Sequence, residues 1–507
     1  MNIKPVNWNN SDLFCYDLPT KPQPDIGKIL VTGGTGYIGG LLVPELLARG
    51  YRVRVMVRVL SPAYIEQWPG AEIVEADGLD IEKLEKALEG IHTAYYLIHS
   101  LLIGQQKYET SDYQTSRNFR KIAEGKKVKR IIYLGGLADI RVIHSGYLRS
   151  RMKVAQEFME SKVPITILRV STIIGSGSAI YEIIEQVVRK NPIIFIPYWA
   201  RTRHQPIAIR DVIKYLVGVV EKNETSGKSF DIGCRDVITL EMMMKVMAGL
   251  LGKKRIFVYS PFSTVLLYSY LASFITSVPA PIIKCFMEGC KYNIVSQNED
   301  IRMFLPFHPL SYKEMLLKAM ARIEQDKILT RWSDSYPPAH DLAIKLSELE
   351  ESPKFKSSYS MQTNKSASSL FQTICKIGGK EGWFNSNWLW RLRGWFDQIL
   401  MGVGTSRGRK NITSLRVNDV IDFWRVECLT HNERLLLRAE MKLPGMGWLE
   451  FRIDREMHEN RLSVTAYYQT STLFGKLYWY LFLPSHKYIL SDMVKEIEKR
   501  SLGSSRK

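Results

Sequence analysis

The sequence predicts an α/β protein: a doubly wound parallel sheet, a helical subdomain beside it, and a separate α+β region with an antiparallel sheet. Three observations predict this. A strand, a glycine-rich turn and a helix follow one another from Ile29 onward. From residue 28 to about 220, short apolar runs alternate with helix-length segments, as parallel strands joined by crossover helices require. After about residue 375, strand-like segments follow one another directly and alternate apolar with polar residues, which marks antiparallel sheets with one wet face. At 507 residues the chain exceeds one ordinary domain, and its apolar fraction of 45% is that of a folded protein.

Residues 1–27 form a polar N-terminal extension with Pro22 and Pro24 and without the apolar core of a signal peptide, so a cytoplasmic protein is expected. Ile29 to Val31 reads as a buried strand, and Leu41, Leu42, Leu46 and Leu47 repeat at helical spacing. Between them stand Gly33, Gly36 and Gly39 at three-residue steps, with Thr32, Thr35, Tyr37 and Ile38. Strand, glycine turn and helix in this order make a dinucleotide site. Gly33 permits the tight turn, Gly36 lets a pyrophosphate approach the backbone, and Gly39 lets the helix pack on the strand. The helix N-terminus offers N–H groups to the phosphates. The rival reading is a glycine turn that holds no nucleotide.

The second strand, Arg52–Arg58, lacks the terminal acid that holds the ribose 2′-hydroxyl of NAD. Arg58 stands there instead, and a guanidinium pairs with a 2′-phosphate. NADP(H) is favoured over NAD(H), with a solvated arginine as the alternative. Glu72–Glu75 is the third strand. Asp77, followed by Gly78, is placed to accept from an adenine amino group, whereas Asp80 suits either that role or a helix cap. Thr93–Ile98 is the fourth strand, and His99 and Ser100 follow at the carboxyl end where ligands sit in such sheets. A loop histidine bonded to backbone is the alternative for His99. Asp112–Glu124 is helical, Arg130–Leu134 and Ile165–Arg169 are strands, Ile193–Ile196 is a further candidate, and residues 227–233 form one late strand. The dinucleotide domain therefore runs over 28–237. His204, before Pro206, is a further candidate for the substrate side.

Residues 238–330 form the mostly helical substrate-side subdomain. Val258–Val278 holds no charged residue and is long enough to span a bilayer. Pro261, its serines and threonines, and Pro279 and Pro281 favour an interfacial or buried helical hairpin. Residues 331–374, with Pro337-Pro338 and the serine-rich Ser357–Ser369, read as a linker. In 375–502 tryptophans are dense (383, 388, 390, 395, 424, 448, 479), the strands around Leu435–Lys442, Leu449–Ile453 and Leu462–Tyr468 alternate, and a helix over about Ser485–Arg500 closes the chain.

The net charge of +19 points to an anionic partner or an anionic membrane surface, and a phosphorylated cofactor explains it as well. Basic residues are dispersed, apart from short groups such as Lys126-Lys127 and Arg407–Lys410, and no nucleic-acid motif is recognisable. The six cysteines have no spacing or histidine partners that suggest a metal, and free thiols of a reducing compartment are expected.

These features together resemble the atypical short-chain dehydrogenase/reductases, whose Rossmann motifs Thr32-Gly-Gly-Thr-Gly-Tyr-Ile-Gly39 and Asp77 match. More narrowly, Tyr95-Tyr-Leu-Ile-His-Ser100, Arg130-Ile-Ile-Tyr-Leu-Gly-Gly-Leu137, Ile174-Gly-Ser-Gly-Ser178 and Gln205–Val212 are similar to bacterial YbjT-like proteins with a C-terminal DUF2867 domain. So are Gly394-Trp-Phe-Asp397 and Asp422-Phe-Trp-Arg-Val-Glu427. The resemblance covers about residues 28–500. It implies chemistry by a tyrosine, by a lysine four residues on, and by a serine on the fifth strand. This chain offers Tyr147 and Arg151, spaced to share a helix face, but ends its fifth strand Leu134-Gly135-Gly136, so the hydroxyl is missing unless His144 or Ser145 replaces it. The resemblance further implies a C-terminal helix-grip (START/SRPBCC-like) fold with an apolar cavity, for which Trp424, Trp448 and one of Tyr467 and Tyr468 are candidates. The expectation is an NADP(H)-binding oxidoreductase of a hydrophobic or lipid-like small molecule. The alternatives are a non-catalytic NADP(H)-dependent sensor or ligand-binding protein and a scaffold with peripheral membrane contact.

Overall fold

The computed structural model describes residues 13–58, 60, 62–99, 105–137, 146–324, 332, 346, 349, 351–378, 382–400, 402, 404, 415, 417, 419–456 and 459–502. The first part of the chain runs β1 (Lys28–Val31), α1 (Tyr37–Ala48), β2 (Arg52–Val57), α2 (Pro62–Gln67), β3 (Glu72–Glu75), α3 (Ile81–Leu88), β4 (Ile91–Tyr96), α4 (Gln105–Gly125), β5 (Arg130–Gly136), α5 (Gly146–Met159) and β6 (Ile165–Val170). It continues with β7 (Ile173–Ile174), α6 (Ala179–Lys190), β8 (Ile193–Ile196), β9 (Arg203–His204), β10 (Ile207–Ala208), α7 (Ile209–Val220), β11 (Ser229–Ile232), β12 (Ile238–Thr239), α8 (Leu240–Leu250) and β13 (Ile256–Tyr259). Helices α9 (Val265–Ile275), α10 (Ala280–Gly289), α11 (Ile301–Phe304) and α12 (Tyr312–Glu324) follow. The last part holds β14 (Phe355–Thr363), α13 (Ala367–Ile374), α14 (Asn387–Ile399), β15 (Val420–Ile421), β16 (Trp424–Thr430), β17 (Arg434–Ala439), β18 (Met446–Arg455), β19 (Asn460–Gln469) and α15 (Leu473–Arg500).

Two compact units result: one takes the described residues up to Ser269 and from Pro281 to 332, the other Tyr270–Ala280 and the described residues from 346 on. In the first, a seven-stranded sheet has the order β11-β6-β5-β4-β1-β2-β3, every pair parallel. The order reverses between β1 and β4, so the carboxyl ends of those two strands flank a crevice. Two apolar clusters cover the sheet, one including Ile29, Val31, Val55 and Leu216, the other Leu30, Ala94, Tyr96 and Phe158. They divide because neighbouring residues of a strand point to opposite faces. The N-terminal extension packs onto α1 and α7. Glu45 accepts the backbone N–H groups of Phe14 (2.6 Å) and Cys15 (3.1 Å), and Arg49 forms a buried ion pair with Glu221 (2.7 Å).

The stretch 258–278 is not one hairpin. Its start pairs as β13 with β8 away from the main sheet, and the rest forms α9. No helix among the described residues is long and apolar enough to cross a membrane.

The second unit carries a six-stranded sheet of order β14-β19-β18-β17-β16-β15, every pair antiparallel. The serine-rich stretch expected to be a linker supplies its edge strand, because alternation puts Phe355, Tyr359 and Met361 on one face and Lys356, Ser358, Ser360 and Gln362 on the other. α15 starts twelve residues before the expected Ser485 and runs through Pro484, its first turn capped by Thr472, which accepts from Gly475 N (3.0 Å).

Candidate functional site

The end of β1 is tied to β4 by Thr32, whose N–H and hydroxyl both donate to Tyr95 O (3.0 Å each) while the hydroxyl accepts from Leu97 N (3.1 Å). The chain then turns. Gly33 has φ +64°, and a Cβ there would stand 2.7 Å from Leu97 O. Gly36 N donates to Gly33 O (3.0 Å), and a side chain at Gly39 would collide with that same carbonyl. At Gly36 an added Cβ would meet Gly33 O at 3.2 Å and no other described atom within 4 Å. Gly36 is also the N-cap of α1 and brings no side-chain cap to its N–H groups. The fold itself thus demands glycine at 33 and 39, while at Gly36 the outer face of the turn is open to an anion. Tyr37 donates to Ser176 O (2.9 Å), which fixes the first turn of α1.

Arg58 follows the end of β2 and is exposed. Beside it, Glu75 ends β3, accepting from Leu60 N (3.1 Å) and pairing with Lys83 (2.8 Å). The sequence reading missed Glu75 and Lys83, because one lies inside a strand and the other inside a helix with no motif to mark them. Asp77 turns the chain by accepting from Leu79 N (2.9 Å), whereas Asp80 caps α3 by accepting from Lys83 N (3.1 Å). The open alternative at Asp80 therefore closes on the cap. Gly78 lies against Thr115, where any side chain would collide, and its carbonyl accepts from Asn118 Nδ2 (3.2 Å).

At the other end of the crevice, His99 stands just past β4; Ser100, His144 and Ser145 lie outside the described residues. Tyr147 is in the first turn of α5, and its side chain also lies outside the described ones. Arg151 is buried. Its guanidinium pairs with buried Asp112 of α4 (2.6 Å) and reaches Ile98 O (3.4 Å), while Ser150 Oγ donates to the same Asp112 oxygen (3.0 Å). Asp112 was no candidate in the sequence, since nothing in a polar helix marks one carboxylate for burial. The compensated charge of Arg151 acts on a neighbouring tyrosine more weakly than an uncompensated one would. His99 keeps solvent contact at the strand end, yet desolvation and then the Arg151 guanidinium hold its imidazole below the ordinary range, against the pull of Asp112.

No hydroxyl ends β5. A Cβ on Gly136 would only touch Arg151 and Leu148 at 3.7 Å, so the backbone does not demand glycine there; one on Gly135 would press on the Tyr133 ring at 2.9 Å. His204, expected near the substrate, is buried, shares a hydrogen bond with Thr202 Oγ1 (2.9 Å), and is lowered to about 4 by that burial. It is a packing residue.

The expected C-terminal cavity lining is divided by the sheet. Trp424 packs on Trp383 and Trp390, and Tyr468 stacks on Trp479 of α15, both on the helix-covered face. Trp448 and Tyr467 pair across strands on the opposite face. There Tyr467 donates to Glu450 (2.8 Å), Trp448 donates to Glu427 (3.0 Å), Arg434 pairs with Glu450 (2.6 Å), and Arg425 and Arg438 pair with Glu440. This face, expected to be wet, is largely buried and ion-paired, so one apolar pocket cannot join these four aromatics. Arg407–Lys410 lies outside the described residues.

The NAD(P)H-binding family matches residues 33–189, and a family described as protein of unknown function (DUF2867) matches residues 350–493. The chain is 32% identical over 119 residues to a 3-beta-hydroxysteroid dehydrogenase of Mycolicibacterium neoaurum, covering 24% of this chain and 31% of the relative. It is 22% identical over 207 residues to the photosystem II assembly factor Ycf39 of Trieres chinensis (41% and 63% covered) and 25% identical over 177 residues to the chloroplastic divinyl chlorophyllide a 8-vinyl-reductase of Arabidopsis thaliana (31% and 41%). It spans less than two thirds of each of these relatives. Among solved structures, the Bordetella bronchiseptica enzyme WbmG in complex with NAD aligns with a TM-score of 0.48 at 16% identity, over 61% of this chain and 98% of that one. UDP-glucose 4-epimerase of Thermotoga maritima aligns with a TM-score of 0.46 at 18% identity, over 59% and 99%. With the parallel sheet, the reversal of strand order and the glycine turn at that reversal, the two family matches give the chain an NAD(P)H-binding Rossmann domain and a C-terminal DUF2867 domain.

Proposed function

We propose that the chain is an oxidoreductase that uses NADP(H) on a small apolar molecule. One observation carries the choice of cofactor: Arg58 stands exposed at the end of β2, where NAD sites place an acid. A 2′-phosphate entering there meets a guanidinium. Thr32–Gly39, with Thr35 and Ile38, would hold the pyrophosphate, Asp77 and Gly78 the adenine side, and His99 and Ser100 the nicotinamide side. The cofactor supplies the hydride. Tyr147 is the proposed proton donor, with Arg151, four residues on, as a cation already balanced by Asp112. The apolar substrate is supported by relatives named for a hydroxysteroid and a chlorophyllide.

Calorimetry with NADPH and NADH tests the reading. NADPH binds more tightly, and Arg58→Ala removes most of the difference, roughly tenfold to a hundredfold for one charge-assisted contact. Equal or tighter binding of NADH refutes it.

A second reading is favoured by Gly135-Gly136 and by the Asp112–Arg151 pair: the chain binds NADP(H) without turning it over and acts as a sensor or ligand-binding protein. NADPH consumption with steroid and aromatic ketones separates the two. Turnover lost in Tyr147→Phe with NADPH affinity intact supports the enzyme; a complete lack of turnover supports the sensor.

A further inference from the structure

One helix of this chain is inside out, and apolar side chains on two neighbours are exposed beside it. Along α14 the positions 388, 392, 395, 396, 399 and 400 follow one helical face, and Trp388, Leu392, Trp395, Phe396, Ile399 and Leu400 are all exposed there. The opposite face carries Gly394, Asp397 and Gln398, all buried. Asp397 is satisfied where it sits: its carboxylate accepts from Gly404 N (2.8 Å) and Lys442 N (2.7 Å). The part of α9 that belongs to the same unit exposes Leu271 and buries Ser273. Gln398 Nε2 donates to Ser273 O (3.3 Å) and Tyr270 OH to Ile399 O (3.2 Å), so the polar sides of α9 and α14 meet. The first half of α15 adds Leu473, Phe474, Leu477, Tyr480 and Leu481, all exposed, and Arg393 of α14 donates to its Tyr478 hydroxyl (3.3 Å). A water-facing helix has the reverse arrangement, and the contiguous apolar surface of a monomer seldom grows this large without a use.

The charges on these segments say what covers them. Arg391, Lys476 and Lys487 are exposed. Between residues 382 and 400 the one carboxylate is buried Asp397, and between 470 and 491, as between 258 and 278, there is none. Apolar side chains with tryptophan and tyrosine among them, bordered by cations and free of exposed anions, fit the boundary between acyl chains and anionic headgroups.

We propose that α14, the first half of α15 and the part of α9 from Tyr270 on form a surface that docks on an anionic lipid leaflet, lying in the headgroup layer without crossing it. This is independent of the cofactor. The purified full chain is floated with vesicles of phosphatidylcholine, alone or mixed with phosphatidylserine. It binds the mixed vesicles, salt weakens the binding, and neutral vesicles bind far less. Trp388→Ser with Trp395→Ser lowers the partition by about tenfold or more. Lys476→Glu with Lys487→Glu, two exposed substitutions expected to leave the melting curve unchanged, abolishes the preference for phosphatidylserine. No flotation with either vesicle, equal flotation with both, or unchanged binding by the variants overturns the proposal. So does a concentration-dependent dimer that the tryptophan substitutions dissociate in a chain that binds no vesicle.

Discussion

Arg151 holds the place from which a lysine acts in the resembled group, and burial beside Asp112 decides what it does instead. Removing one member of a buried ion pair leaves an uncompensated charge and destabilises by about 3–5 kcal/mol. Asp112→Ala is therefore expected to lower the urea midpoint strongly, whereas Asp112→Leu with Arg151→Met, which removes both charges, destabilises less. Equal losses would mean that the pair matters through packing and not through charge.

Two other buried carboxyls set a pH dependence. Burial pushes Asp211 and Asp422 up to about 6, against the opposing hydrogen bonds from Leu310 N (2.8 Å) and Trp383 Nε1 (2.7 Å). An unfolded aspartate titrates near 3.9. Between about 4 and 6 the native state thus holds protons that the unfolded state has released, and stability falls as pH rises through this window. Asp422→Asn keeps an acceptor for Trp383 and removes one of these titrations. Its melting temperature should depend less on pH between 4 and 7 than that of the parent and should be the higher of the two at pH 7. A parallel pH profile would return Asp422 to an ordinary carboxylate.

At the scale of elements, the chemistry of a strand end was easier to read than the identity of a strand. β3 and β8 fall on their expected residues, and β1, β2, β4, β5 and β6 differ only at their ends, because each contains a short run rich in apolar and β-branched residues. β14 was unreadable for a physical reason: with five serine, threonine or glutamine side chains among its nine residues, its place depends on β19, with which it pairs along its full length from Phe355↔Tyr468 to Thr363↔Asn460. Likewise, the glycine turn was legible from local geometry, whereas the burial of Asp112, Arg151 and His204 comes from neighbours distant in sequence. A fragment that starts at residue 370 omits β14 and exposes the length of β19, an unpaired edge of the kind that aggregates. Expressed alone, it is expected to be insoluble, while a fragment from 351 is expected to be more soluble. A folded, monomeric 370–507 fragment would make β14 dispensable.

At the scale of the whole molecule, the second unit is not one stretch of chain. It draws Tyr270–Ala280 from within the first. An engineered protease site between residues 333 and 345 should therefore give two pieces that co-elute under native conditions, because residues 270–280 remain packed in the second unit after the cut. Separation of the pieces without denaturant would show that this insertion holds nothing.

The interleaving also puts the protein under a timetable. Synthesis delivers the chain at about 5–20 residues per second, and a unit closes once all of its residues are out. Residues 270–280 leave the ribosome before any other described part of their unit, and α15, which ends it, leaves last. For roughly ten seconds or more the nascent chain presents Ala272 and Val278, both buried in the finished protein, without the rest of their unit. During that interval a holding chaperone has its substrate, and slow codons placed after residue 280 would lengthen the exposure.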